Sequence, residues 1–225
     1  IIKNSDAIIH LASLAHSYKY NHFKTKRIYT DLNYRGTINL FKQSIKKNVK
    51  RFIFISTIKV NGDFNYQDLP FKYDDKPYPQ SIYSINKLKT ENELIKLSKG
   101  HSIELLILRP TLIYGNKIKG NLLTLYKWIN RNLPFFVISN NYKKSFLSID
   151  NFFDVLLKSL YVKNLDNQIL LVSDPKPLTL IDLLEKIAFH QNKKLRYFKI
   201  NKNLLYLLFY ILGLKNTYNS LYLQS

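Results

Sequence analysis

Tyr83 and Lys87 stand four residues apart in the segment Tyr83-Ser-Ile-Asn-Lys87. On a helix, side chains at this spacing lie on the same face. A phenol, whose pKa is about 10, is a weak acid or base at neutral pH, and a nearby ammonium lowers that pKa toward the working range. Tyrosine and lysine are abundant in this chain, so the pair alone also fits a solvated pair on a surface helix.

The residues before this pair favour the chemical interpretation. A polar loop rich in proline and acidic residues precedes it, and a short apolar run that ends in Ser56-Thr57 precedes the loop. A hydroxyl at the end of that run can hold a substrate oxygen beside the phenol. A hydride acceptor can then oxidise the carbon that carries this oxygen, so the arrangement predicts an oxidoreductase type of site.

The first half of the chain alternates apolar runs with longer amphipathic segments. Short runs rich in β-branched residues are typical of buried strands, and strands that alternate with helices indicate a parallel sheet. This pattern predicts an α/β fold. The expected strands are residues 6–12, 51–56 and 103–108, and the expected helices are residues 23–47 and 83–99.

The second half is more mixed and predicts a smaller lobe. Asp150 is a candidate N-cap for a helix that follows it, and Thr179 is a candidate N-cap for a helix that reaches His190. The other expected elements are a helix at residues 122–132 and strands at residues 135–138, 145–148, 168–172 and 195–200.

Composition excludes some classes of site and disfavours others. The chain has no cysteine, which excludes disulfides, cysteine-ligated metal sites and cysteine nucleophiles and suits a reducing cytoplasm. The net charge of +20 comes from lysines scattered along the chain, which favours a solvated basic surface over a nucleic-acid site. The longest apolar stretch, residues 204–214, is about half of the ~20 residues that span a bilayer, so it predicts a buried or interfacial helix.

Five short segments follow one another along the chain: Asp6-Ala-Ile-Ile-His-Leu-Ala12, Asn33-Tyr-Arg-Gly-Thr37, Ser56-Thr-Ile-Lys-Val-Asn-Gly62, the Tyr83 and Lys87 pair, and Leu108-Arg-Pro-Thr-Leu-Ile-Tyr-Gly115. In this order they resemble the extended short-chain dehydrogenases/reductases, specifically their NAD-dependent epimerase/dehydratase group. In the third segment, Asn61 stands where that group usually has tyrosine.

The resemblance implies a Rossmann-like, doubly wound parallel sheet that binds NAD or NADP. Thr57, Tyr83 and Lys87 take the catalytic positions, with Tyr83 as the acid/base, Lys87 lowering its pKa and Thr57 orienting the sugar oxygen. For His10, a core histidine tied to the backbone is a better interpretation than a catalytic one. The cofactor-binding residues implied are His10, Leu11, Ala12, Asn33, Ser56, Tyr83, Lys87 and Pro110.

Shorter stretches resemble bacterial UDP-glucose 4-epimerase-like proteins, some of which are UDP-sugar 4-keto reductases that make UDP-N-acetylquinovosamine for surface polysaccharides. This likeness implies a UDP-sugar substrate, a homodimer, and contacts of Asn121 and Lys144 with the substrate diphosphate. Asn121 fits a helix N-cap equally well. Lys144 stands where the family usually has arginine, and lysine keeps the charge without the bidentate fork.

The family's glycine-rich loop is not found in these residues, so we expect the chain to be a fragment that lacks the first βαβ units. The expected domains are a partial nucleotide-binding and catalytic domain at residues 1–116 and a mainly substrate-binding lobe at residues 117–225, interleaved with the first. Two alternatives remain open: another dehydrogenase on the same scaffold, of the hydroxysteroid or dihydroflavonol type, and a non-catalytic NAD(P)-sensing or RNA-associated protein.

Overall fold

The computed structural model describes residues 5–14, 27–63, 70–115, 121–138, 143–164, 167–211 and 213. A π-helical segment, Thr30–Gly36, precedes the first helix, and a 3-10 turn, Ile58–Val60, follows the second strand. The helices are α1 (Thr37–Lys46), α2 (Ile82–Ser98), α3 (Asn121–Asn130), α4 (Ile149–Tyr161), α5 (Leu180–His190) and α6 (Lys202–Ile211). The strands are β1 (Ala7–His10), β2 (Arg51–Ile55), β3 (Glu104–Pro110), β4 (Leu112–Tyr114), β5 (Phe135–Ile138), β6 (Lys143–Lys144), β7 (Phe146–Ser148), β8 (Gln168–Val172), β9 (Leu178–Thr179) and β10 (Tyr197–Ile200).

Across the described ranges, the largest sheet has four parallel strands in the order β1-β2-β3-β8. β2 lies between two neighbours and is buried at all five positions, as its continuous run of apolar residues predicts for a covered parallel strand. Helices connect these strands, because a parallel pair needs a crossover connection. The predicted α/β fold with a parallel sheet is confirmed.

The chain divides into two compact units. Among the described residues, the first unit comprises those up to 63, 70–111 and 150–173, and the second comprises 112–149 and those from 174 onward. The first unit contains the four-stranded sheet. Its core forms where Phe41 of α1 meets Phe52 of β2 edge to face, with ring centroids 4.9 Å apart.

The second unit has a separate apolar core and shorter strand pairs. β10 pairs with β5 and β4 with β7, both in parallel, while β6 and β9 are antiparallel. Helices α3 and α5 supply Leu125 and Leu184 to this core. Thr179 caps α5 through a capping box with Asp182, so the predicted N-cap and the predicted end at His190 are confirmed.

Some predicted boundaries are wrong for local reasons. Asp150 is not an N-cap, because α4 already begins at Ile149 and Asp150 lies in its first turn. The short strands β4, β6 and β9 were not predicted, since two or three residues are too few to show a period. The start of the helix expected at residues 23–47 falls on residues 15–26, which lie outside the described part of the chain.

The apolar stretch near the end of the chain forms α6, as expected for a helix. Leu205 is buried in it, whereas Tyr206, Leu207 and Leu208 are exposed. The helix therefore buries one face and leaves the others open. Within the described ranges, every helix is too short or too polar to cross a bilayer.

Candidate functional site

Helix α2 carries Tyr83 and Lys87 near its first turn. Ser81 caps the helix: its hydroxyl accepts from the Ser84 main-chain N–H at 3.0 Å, and the Ser84 hydroxyl accepts from the Ser81 N–H at 3.1 Å. This capping box satisfies N–H groups that have no partner inside the helix. It therefore sets where α2 starts, and so where the phenol and the ammonium stand.

Lys87 reaches from α2 to the end of β2. Its side chain is buried, and its Nζ donates to the main-chain oxygen of Ile55 at 2.6 Å. The same ammonium lies 4.5 Å from the ring centroid of Phe54 and 5.8 Å from that of Tyr83. Lys87 thus links the helix to the strand whose end leads to Thr57, and it does so as a nearly dehydrated cation.

Burial controls the acid–base properties of both groups. It lowers the pKa of Lys87 to about 8, while the nearby Glu91 carboxylate acts in the opposite direction. Burial also raises the pKa of Tyr83, a side-chain hydrogen bond with Ser13 lowers it, and the neighbouring Tyr29 raises it. The lowering of this pKa by Lys87 stays a prediction, and in this structure the net pKa of Tyr83 lies above its ordinary value. The reason is that the loss of water around the phenol outweighs the hydrogen bond that opposes it.

Thr57 and Ser56 lie directly after β2. Thr57 caps the 3-10 turn, where its Oγ1 accepts from the Lys59 N–H at 3.4 Å, a long and weak bond that leaves the hydroxyl proton free to donate. Ser56 donates its main-chain N–H to the Leu108 oxygen at 2.7 Å. The hydroxyl of Ser56 is buried and has no hydrogen-bond partner among the residues described.

Among the described residues, the side chain of Thr37 holds His10 at the end of β1. Its Nε2 lies 2.8 Å from Oγ1 of Thr37, and that hydroxyl donates to the Asn33 main-chain oxygen at 2.7 Å. Burial, reinforced by the positive charge of Lys87, lowers the pKa of His10 to about 4. The imidazole is therefore neutral at physiological pH, which fits the predicted core role.

Asn33 is buried and clamps the segment that follows β1. Its Nδ2 donates to the Leu14 oxygen at 2.9 Å, and its Oδ1 accepts from the Leu14 N–H at 2.8 Å. An amide that makes both bonds to one residue fixes the path of that chain segment. Asn33 therefore positions the segment that contains Leu11, Ala12 and Ser13.

The residues expected to contact the cofactor share one location. Leu11 and Ala12 are exposed immediately after β1, Ser56 follows β2, and Pro110 ends β3. Ligands of open parallel sheets bind outside the carboxyl ends of the strands, which is where these residues lie. The buried Ser56 hydroxyl without a partner is the kind of group that a bound polar ligand satisfies. The residues present therefore fit the nicotinamide half of a dinucleotide at this edge.

The two predicted substrate residues belong to the second unit. Lys144 lies in β6, half-buried, opposite Leu178 of β9. Helix α3 begins at Asn121, but its side chain falls outside the described part of the structure. The diphosphate contacts of these two residues remain predictions.

A buried polar network beside the site was missed in the sequence. Arg109 of β3 makes an ion pair with Glu91 of α2 and a hydrogen bond with Asn61. The sequence holds one signal for it: Glu91 stands four residues after Lys87, on the same face of the helix. Nothing in the sequence pairs it with Arg109, which is 18 residues away along the chain.

Comparison with known proteins gives the context for this geometry. Residues 1–160 match the model of the NAD dependent epimerase/dehydratase family. A UDP-glucose 4-epimerase of Vibrio cholerae is 36% identical over 194 residues, which cover 85% of this chain and 59% of that protein. A dTDP-4-dehydro-6-deoxyglucose reductase of Escherichia coli is 27% identical over 201 residues, which cover 85% of this chain and 61% of that protein.

Solved structures share the fold. The UDP-glucuronic acid 4-epimerase of Bacillus cereus, in complex with NAD, superposes with a TM-score of 0.73 at 21% identity, covering 86% of this chain and 63% of that one. The chain spans about three fifths of the length of the curated relatives named above. The family model covers well over half of the chain, from the first strand of the sheet into helix α4. The chain therefore belongs to the NAD-dependent epimerase/dehydratase family.

Proposed function

We propose that the protein containing this chain uses NAD or NADP to epimerise or reduce a UDP-sugar at C4. The observation that supports this most directly is the position of Lys87, buried beside the Tyr83 ring and bonded to the strand end that leads to Thr57. Burying an ammonium is costly, and groups perturbed in this way cluster at functional sites. The relatives from Vibrio cholerae and Escherichia coli act on nucleotide sugars by their names, and the Bacillus cereus structure contains NAD.

Each of these three side chains has a distinct task in the proposed reaction. In the reductive direction, the Tyr83 hydroxyl gives its proton to the 4-keto oxygen of the sugar, and Thr57 donates a hydrogen bond to the same oxygen. Lys87 stabilises the phenolate that results. In the oxidative direction, the phenolate takes the proton from the C4 hydroxyl. The nicotinamide, when bound, supplies the hydride or accepts it.

We propose that His10, Leu11, Ala12, Ser56 and Pro110 line the nicotinamide half of the cofactor, with Asn33 holding the segment after β1. Asn121 and Lys144 are proposed to contact the substrate diphosphate. The ammonium of Lys144 supplies one point charge, whereas an arginine would supply two parallel hydrogen bonds. We therefore expect Lys144 to discriminate phosphate geometry more weakly than an arginine would. Replacing Lys144 by arginine is expected to lower the KM for the UDP-sugar.

The test of the proposed role of Tyr83 is its replacement by phenylalanine. In the complete protein, Tyr83→Phe should reduce kcat by about 10²–10⁴-fold, because the phenol acts on a proton in the transition state. The Kd for the sugar nucleotide should stay nearly unchanged, because binding rests mainly on the diphosphate and base. Tyr161→Phe, at a strongly exposed position, is the matched control. A normal kcat in Tyr83→Phe would sink the assignment.

The second question is whether the protein is a reductase or an epimerase. We favour the reductase because the stretches Lys59-Val-Asn-Gly62 and Lys119-Gly-Asn121 resemble those of UDP-sugar 4-keto reductases. A reductase consumes one NAD(P)H for each UDP-4-keto sugar, which the loss of nicotinamide absorbance measures directly. Redox-neutral interconversion of UDP-glucose and UDP-galactose, without net nicotinamide turnover, would establish the epimerase instead.

A further inference from the structure

Arg109 and Glu91 form a fully buried ion pair beside Lys87. The side chains are only 2% and 1% exposed. The guanidinium donates through Nη2 to Glu91 Oε2 at 2.6 Å and through Nε to Oε1 at 3.1 Å. Both carboxylate oxygens are therefore used, and one arm of the guanidinium, Nη1, points away from Glu91.

Asn61 forms a hydrogen bond with this remaining Nη1 group. Arg109 Nη1 donates to Asn61 Oδ1 at 2.9 Å. The other end of the same amide, Nδ2, donates to the main-chain oxygen of Lys72 at 2.9 Å. Asn61 is 3% exposed, so both of its bonds are made away from water, where leaving either group unpaired is costly.

The hydrogen bonds of Arg109, Glu91 and Asn61 join three parts of the chain whose relative positions set the geometry of the site. Arg109 is the penultimate residue of β3, Glu91 belongs to the helix that carries Tyr83, and Asn61 stands four residues after Thr57. A second set of bonds supports it: the Tyr78 N–H donates to the Val60 and Asn61 oxygens at 3.1 and 3.2 Å. The described residues 70–80 run directly to Ser81, which caps α2. Asn61 therefore ties the Thr57 segment to the approach of the catalytic helix.

A neutral amide suits this position for a physical reason. It presents an acceptor and a donor on one rigid plane, so it bonds a cation on one side and a carbonyl oxygen on the other. It also leaves the charge of the Arg109–Glu91 pair balanced, whereas a carboxylate would add a buried negative charge.

On these contacts, and resting on the catalytic roles proposed above for Thr57 and Tyr83, we propose that Asn61 is a positioning residue. By bridging Arg109 to the Lys72 carbonyl, it holds the Thr57 hydroxyl in place relative to the Tyr83 phenol. Asn61 touches neither substrate nor cofactor in this scheme. Its effect is on the alignment of two groups that must act on one oxygen atom, and misalignment by about 1 Å can cost about 10²-fold in rate.

The experiment replaces Asn61 by leucine, which has nearly the same size and makes neither bond. In the complete protein, Asn61→Leu should lower kcat by about 10²-fold while the KM for the UDP-sugar changes by less than about two-fold. Asn92→Leu, an exposed position on α2, is the matched control and should leave kcat unchanged. A kcat for folded Asn61→Leu within about two-fold of the parent overturns the proposal.

A double-mutant cycle separates positioning from general destabilisation. Arg109→Lys keeps a positive charge toward Glu91 and removes the arm that reaches Asn61. If the two residues act as one bridge, the loss of kcat in the double variant is close to that of the more damaged single variant. Losses that multiply overturn the proposal.

Two further measurements cover the case in which Asn61→Leu does not fold and the case in which the proposed function itself fails. Should Asn61→Leu fail to fold, Asn61→Asp replaces it, because that variant keeps an acceptor toward Arg109 and loses the donor toward Lys72. An unchanged kcat in Asn61→Asp overturns the bridge. Tyr83→Phe is measured in parallel: if it stays active, the proposed function fails, whereas an inactive Tyr83→Phe beside a fully active Asn61→Leu rejects only the role of Asn61.

Discussion

Lys87 holds an ammonium group in a buried position, and this must cost the protein stability at neutral pH. Burial lowers the pKa of Lys87 from 10.5 to about 8. At 1.36 kcal/mol for each pH unit, this difference corresponds to about 3 kcal/mol in favour of the unfolded chain whenever the lysine is protonated. Replacing Lys87 by methionine, which has a similar length and no charge, should remove that cost.

The replacement also removes one favourable contact. The Ile55 oxygen accepts from Lys87 at 2.6 Å and would lose this donor, which is worth about 1 kcal/mol. The methionine thioether can still pack against the Phe54 ring, as the lysine does now. We therefore expect Lys87→Met to be more stable than the parent by about 2 kcal/mol at pH 7, although it should be catalytically inactive.

The pH dependence gives the sign of the effect. Below about pH 8 both states hold the proton and the full cost is present. Between about pH 8 and pH 10.5 the unfolded chain binds more protons than the native one, so the stability of the parent rises with pH. The stability advantage of Lys87→Met should therefore shrink over this range. Because burial raises the pKa of Tyr83, that group acts in the opposite direction only above about pH 10.

Urea unfolding followed by circular dichroism, at several values between about pH 7 and pH 9.5, measures this difference. Groups other than Lys87 titrate in both proteins and cancel in the comparison. Lys89→Met, at an exposed position of α2, controls for the change of residue type. A methionine variant that is less stable than the parent at pH 7, or a stability difference independent of pH, would refute the reasoning.

Three other substitutions test how the elements are held. Asn33→Ala removes both bonds to Leu14 from a buried site and should cost about 2 kcal/mol in the free energy of unfolding, measured in urea. Thr179→Ala removes the capping box of α5 and should cost about 1 kcal/mol, seen as a lower thermal midpoint. Gly115→Ala places a methyl group against the Ile149 side chain and should cost about 1–3 kcal/mol, which a smaller residue at position 149 should relieve; an unchanged midpoint would contradict the close contact.

The elements that carry the site could be predicted because each has a strong local signal. The run Arg-Phe-Ile-Phe-Ile is continuous and apolar, and it forms β2, the strand buried at every position. Helix α2 begins one residue before the predicted Tyr83 and ends one residue before the predicted Lys99. Where the signal is short the prediction failed: Asp150 has the residue type of an N-cap, but α4 includes it in its first turn.

The sequence by itself determined where the residues proposed for the site lie on their secondary-structure elements. The spacing of Tyr83 and Lys87 puts them on one face of a helix, and the Ser56-Thr57 pair must follow a strand, because both facts depend only on local period and chain order. The order of strands and helices likewise determined that the carboxyl ends of β1, β2 and β3 lie at one edge of the sheet.

Only the tertiary structure decided how those residues behave. The pKa of Tyr83 is raised rather than lowered, because dehydration depends on atoms brought together from the whole fold. The partners of Arg109 lie 18 and 48 residues away along the chain, and no local pattern records such a pairing. The spacing of apolar residues predicts which face of a helix or strand is buried. Packing of the whole fold determines which groups that face contacts.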